Sequence, residues 1–170
     1  NDDNIFKGAA MCILFIAVEA HPDYPLIICA NRDEFHHRAT EPAYRWPIHP
    51  AIIAGQDKQA GGTWLGINEQ GQFAGITNIR SIELQNGVRS RGELVVDALT
   101  KQHVNSQWLA EHSVNYNPFN LVFEHHNQLL CFNSKTSTTT ILEPGFHAVS
   151  NGALDDIWPK MAKGQQQLQT

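Results

Sequence analysis

The chain has 170 residues and a mass of 19.0 kDa, enough for one domain that buries roughly 70% of its unfolded surface. With 42% apolar and 17% charged residues and no apolar run near the ~20 residues of a membrane span, it reads as a soluble globular domain. A formal charge of −5 and a pI near 6.0 exclude the basic surface that nucleic-acid phosphates require, so no nucleic-acid partner is expected.

The ten residues before Met11, "NDDNIFKGAA", have neither the basic start nor the apolar stretch of a secretory signal. They read as a leader or expression remnant, which makes Met11 the natural start and 11–170 a single domain. "CILFIAV" (12–18) and "PLIICAN" (25–31) are apolar and β-branched, and "EAHPDYP" between them carries two prolines, so the pair predicts a hairpin. "RDEFHHRATEPAYRWPIHP" (32–50) is Pro-rich and aperiodic and reads as a connection. "TWLGIN" (63–68) and "FAGIT" (73–77) flank "EQGQ" as a second hairpin. Gly61 and Gly62 permit a sharp entry to it, and Trp64 is either core or pocket wall.

"SRGELVVDALTK" (90–101) begins with Ser90 and has Glu93 three residues on, a capping-box pattern that predicts a helix to about Lys101. "SQWLAEH" continues helically. "FNLVFE" (119–124), "QLLCFN" (128–133), "STTTILE" (137–143) and "FHAVSN" (146–151) read as strands, and "DDIWPKMAKGQQQLQ" as a terminal helix. Strands, helices, strands, helix is the order of an α+β protein with largely antiparallel sheets, not of a βαβ alternation. No glycine-rich nucleotide motif occurs.

The three cysteines, Cys12, Cys29 and Cys131, are odd in number and widely spaced, which suits a reducing, cytoplasmic setting. If an aminopeptidase removes Met11, Cys12 carries both a thiol and a free α-amine. With pKa values of about 8.5 and 7.7–8.0, one residue then supplies a nucleophile and its base. The bland alternative is a small buried hydrophobe at a strand start. With the leader attached, the Cys12 nitrogen is an amide and cannot act as a base. Asn31, Arg32 and Asp33 end the strand expected to pair with the Cys12 strand. Arg32 could depress the thiol pKa or bind a carboxylate and Asp33 could orient the amine, or the three form a solvated turn.

Nine histidines include the pairs His36–His37 and His125–His126, but no HExxH or HxxxH spacing occurs, so no metal site is expected.

The run "MC…ANRDEF…GGTWLGINEQGQFAGITN…SRGEL…YNPFNLV…HAVSN" resembles the NRDE family, also called the transport and Golgi organisation 2 family, from Met11 to about Trp158. The resemblance implies an N-terminal-nucleophile hydrolase-like fold, an αββα sandwich whose first strand begins at Cys12. It is similar, more distantly, to the penicillin V acylase and bile salt hydrolase group, in which a cysteine exposed by methionine removal attacks an amide. "GINEQGQFAGITN" then corresponds to an acylase stretch that places Asn78 at an oxyanion-hole asparagine, and "HAVSN" places Asn151 at a second. The implied catalytic set is Cys12, Asn78 and Asn151, with Asn31, Arg32 and Asp33 shaping the substrate site and no resident cofactor. Arg32 and Asp33 are adjacent, whereas the acylase arginine stands three residues before its aspartate, so both cannot occupy the acylase positions in one register. Family members usually continue for a further third, so a missing C-terminal part is expected. The resemblance also leaves open a non-catalytic carrier of haem or of an acyl or lipid ligand. Without a CxxCH motif, haem would be held non-covalently.

Overall fold

The computed structural model describes residues 12–32, 40–49, 51–86 and 88–156. Ten strands and two helices lie among them: β1 (Cys12–Val18), β2 (Leu26–Arg32), β3 (Thr40–Arg45), β4 (Ile52–Asp57), β5 (Leu65–Asn68), β6 (Phe73–Asn78), α1 (Gly92–Thr100), α2 (Ser106–His112), β7 (Phe119–His125), β8 (Gln128–Asn133), β9 (Thr138–Ile141) and β10 (Gly145–Val149). They form a three-stranded sheet, β10-β1-β2, and a seven-stranded sheet in chain order from β3 to β9. Every paired strand in both sheets is antiparallel, as the α+β reading expects.

Period-2 alternation explains the layering. In β1, Leu14 and Ile16 face the seven-stranded sheet and meet Phe73, Val122, Leu129 and Cys131 in one core, while Ile13 turns to the opposite face with Ala148. The other face of the large sheet packs Ile76, Phe119, Leu121, Phe123 and Phe132 against Leu94, Val95 and Leu99 of α1 and Leu109 of α2. The described layers are therefore helix, large sheet, small sheet. Gly75 lets the two sheets approach: a Cβ there would stand 2.7 Å from Phe73 Cζ and 3.1 Å from Leu14 Cδ1.

Short turns set the registers. His126 and Asn127 both have positive φ, 49° and 60°, forming the two-residue turn between β7 and β8 whose twist matches the strands. Between β5 and β6, Asn68 Oδ1 accepts the backbone N–H groups of Gln70 and Gln72.

Two expectations are corrected. The 32–50 segment is not only a connection: it contains β3, an edge strand whose register shifts between Glu41 and Tyr44, around Pro42. A proline is tolerated there because an edge residue need not donate to a ladder. The strand β4 that follows it also escaped the sequence reading. Helix α1 forms where expected, but Ser90 does not cap it with its side chain. Ser90 gives only its carbonyl, to the Glu93 N–H at 3.2 Å, and the Glu93 carboxylate pairs with Arg89 at 2.6 Å. A charged partner outbids the backbone N–H that a capping box would offer. The expected terminal helix from Asp155 starts in a turn at Asp155, and 157–170 lie outside the described residues.

Candidate functional site

Cys12 opens the central strand of the small sheet and is half-buried. It shares a face with Leu14 and Ile16, so its side chain looks into the space between the sheets. Arg32 is its direct cross-strand partner and lies on the same face. The Arg32 guanidinium carbon stands 5.9 Å from the ring centroid of Trp64, which is partly buried against both cores. Trp64 is thus packing and site wall at once. Asn31 pairs with Ile13 and is exposed on the opposite face, so the structure brings Arg32, but not Asn31, to Cys12. Asp33 and the pair His36–His37 lie outside the described residues.

The chain leaves β10 through Ser150 and Asn151, both buried. Asn151 Nδ2 donates to the Asn78 carbonyl at 3.0 Å, and the Asn151 carbonyl accepts the Arg80 N–H at 3.0 Å. Asn78, the last residue of β6, pairs with Phe119, whose ring sits in the helix-side core, so the Asn78 side chain is exposed on that face. What Asn78 presents to Asn151 is its backbone carbonyl.

Three polar residues absent from the sequence-derived set hold this corner together. Ser150 Oγ donates toward the Cys12 carbonyl at 2.8 Å and lies 3.2 Å from Asn151 Oδ1. Thr77 Oγ1 donates to the Ser150 carbonyl at 2.7 Å, and Asn120 Nδ2 donates to the Gly152 carbonyl at 2.7 Å and the Ser150 carbonyl at 3.3 Å. Asn120 Oδ1 finds no donor among the described residues. The available signal was the lone Asn120 inside the apolar run "FNLVF", since a buried carboxamide has to be hydrogen-bonded to something.

The other cysteines stand apart. Cys29 is exposed on β2, and burial pushes the Cys131 thiol up to about 12, which makes it inert at neutral pH. His125 and His126 have ring centroids 4.1 Å apart. Burial first, and then His126, hold His125 below the ordinary imidazole value. Among the described residues no three His, Cys, Asp or Glu side chains gather to hold a metal ion, and no helix is long and apolar enough to cross a membrane.

Two cavities lie away from Cys12. One of about 640 Å³ runs between the β3–β4 hairpin and α1, with Tyr44, Trp46 and Ile48 on one wall and Arg89 and Lys101 on the other. One of about 720 Å³, lined by Asn68, Gln72, Glu124 and His125, opens at the end of the large sheet where β7 finishes.

Fold and site together define a two-sheet antiparallel α+β protein whose central strand opens on a cysteine beside an arginine and a buried asparagine. Residues 11–170 match the family model described as Transport and Golgi organisation 2. The bovine (Bos taurus) Transport and Golgi organization protein 2 homolog is 34% identical over 172 residues, covering 92% of this chain and 62% of the relative. The human (Homo sapiens) homolog gives the same identity and coverage. The Drosophila melanogaster Transport and Golgi organization protein 2 is 32% identical over 117 residues, 63% of this chain and 39% of the relative. The chain belongs to the Transport and Golgi organisation 2 family, and it spans 62% of the length of its bovine and human relatives.

Proposed function

We propose that this chain carries the nucleophile end of an N-terminal-nucleophile-type hydrolase acting on a C–N amide bond, with Cys12 as nucleophile once Met11 is removed. On this reading the two sheets are the central layers of an αββα domain. The observation that carries the reading is the convergence of Cys12, Arg32 and Asn151 at one end of the sheet stack.

The chemistry follows from the residue types. The Cys12 thiol gives its proton to its own α-amine, and the sulfur attacks the amide carbonyl. The C–N bond breaks, and the departing amine takes that proton. Water then adds to the thioester, releasing the acid and restoring the thiol. Arg32, the cross-strand partner of Cys12, places a positive charge on the same face of the sheet. Asn151 has one Nδ2 hydrogen on the Asn78 carbonyl and a second to offer a developing oxyanion, a donor worth about 3–4 kcal/mol in favourable cases. Asn78 acts through its carbonyl, as the group that aims Asn151. Asp33 belongs to the substrate-binding part of the proposal, whereas Asn31, on the opposite face, does not.

A second reading, a carrier of haem or an amphipathic acyl ligand, is favoured by the 640 Å³ cleft, whose aromatic wall faces the salt-bridged pairs Arg89–Glu93 and Lys101–Asp97.

One experiment separates them. Protein produced from Met11 is weighed intact and screened against small acyl amides, beside Cys12→Ala. A mass beginning at Cys12, with hydrolysis lost in the folded variant, is the expected result. Hydrolysis unchanged by the substitution removes Cys12 as nucleophile. Saturable haem or fatty-acid binding without hydrolysis favours the carrier.

A further inference from the structure

We infer that Ser150 is a positioning residue that locks the Cys12 backbone to the Asn151 carboxamide, an inference that rests on the hydrolase reading of the same site. A serine hydroxyl has one proton to give, and two acceptors compete for it here: the Cys12 carbonyl at 2.8 Å and Asn151 Oδ1 at 3.2 Å. The hydroxyl is thereby shared between the residue that attacks and the residue that stabilises the charge the attack creates. Ser150 is 138 positions from Cys12 in the chain and next to Asn151, so its hydroxyl spans the gap between two strand ends.

The rest of the corner makes Ser150 a fixed point. It is 1% exposed, and its carbonyl is held from the large sheet by Thr77 Oγ1 and Asn120 Nδ2. The Asn78 carbonyl settles which way Asn151 faces, because the flipped amide would set two carbonyl-type oxygens against each other, and Oδ1 is thereby left toward the Ser150 hydroxyl. Both Nδ2 hydrogens then have fixed directions. Without the hydroxyl, Asn151 keeps its bond to Asn78 but loses the Ser150 contact, and the Cys12 carbonyl loses the Ser150 bond. A misplacement of about 1 Å in such a group costs about 10²-fold.

The test uses Ser150→Ala, Ser150→Thr and, for comparison, Asn68→Ala, all starting at Met11. Asn68 is a buried polar residue of the β5–β6 hairpin whose side chain bonds the Leu99 carbonyl and two N–H groups of its own turn, so its loss destabilises the fold away from Cys12. Two quantities are read: kcat and KM on an acyl amide, and the iodoacetamide labelling rate of Cys12 relative to Cys29 by peptide mass spectrometry. In Ser150→Ala, kcat falls about 10- to 100-fold with KM within about threefold, and the Cys12:Cys29 labelling ratio falls at least about threefold. Ser150→Thr, which keeps the hydroxyl, recovers most of both, and Asn68→Ala alters neither. Wild-type kcat and labelling in Ser150→Ala overturn the inference, as does an equal change in Asn68→Ala. If wild type with a free Cys12 amine hydrolyses no amide, the hydrolase reading falls. The labelling ratio then decides Ser150 alone: unchanged in Ser150→Ala, it overturns the positioning role as well.

Discussion

Replacing Asn120 by aspartate exchanges a buried amide nitrogen for an oxygen with almost no change in volume. The Nδ2 it removes faces two carbonyl oxygens, of Gly152 at 2.7 Å and Ser150 at 3.3 Å, at a residue 1% exposed. A protonated aspartate can still donate one hydrogen bond there, and the loss relative to Asn is about one bond, roughly 1 kcal/mol. An ionised aspartate donates none and sets a buried, uncompensated charge against two carbonyl oxygens, at a cost of about 3–5 kcal/mol. The folded-state carboxyl of the variant is therefore held above its unfolded value of about 3.9. A group raised in this way contributes its full share of stability below the unfolded pKa and loses it as pH rises through the folded one. Asn120 itself does not titrate. Urea unfolding of both proteins, followed by tryptophan fluorescence, should give a stability gap of about 1 kcal/mol at pH 4 and about 3–5 kcal/mol at pH 7.5. A gap that is the same at both pH values within about 0.5 kcal/mol would refute the reasoning, because an aspartate indifferent to its charge is not pressed against those carbonyls.

Two further outcomes follow from the packing and electrostatics. Glu124 is raised above the ordinary carboxylate range, chiefly by burial, with the Phe73 N–H opposing at 3.3 Å. Its ionisation therefore opposes folding as pH rises from its unfolded value through the folded one. Glu124→Gln, which keeps an oxygen for Phe73, should gain more stability over wild type at pH 7.5 than at pH 4, read from melts at the two pH values; the reverse order would contradict the burial cause. Gly62→Ala would set a Cβ 2.8 Å from the Gly92 carbonyl carbon, backbone that cannot swing aside, and should cost about 1–3 kcal/mol in urea unfolding; a neutral result would mean the turn before β5 does not press on the start of α1.

Much of the fold was legible in local patterns. Short apolar, β-branched runs bounded by turn residues announced β1, β2 and β5 to β10 to within about two residues, because such runs mark strands whether one or both faces are buried. Prolines hid β3, since Pro42 argues against a strand until an edge position excuses it. The capping box at Ser90 misled because the Arg89 guanidinium competes for Glu93.

For the site, the sequence by itself determined that a cysteine begins a strand, that an arginine ends its neighbour, and that asparagines close two later strands. Only the tertiary structure decided which of these groups meet. The pairing register puts Arg32 with Cys12 and sends Asn31 to the other face, the β6–β7 pairing turns the Asn78 side chain toward the helices, and Ser150, Thr77 and Asn120 become one hydrogen-bonded corner. The physical reason is range. Alternation and turn chemistry act over a few residues, whereas a hydrogen bond from Ser150 to Cys12 exists only after strands from opposite ends of the chain lie side by side in one sheet.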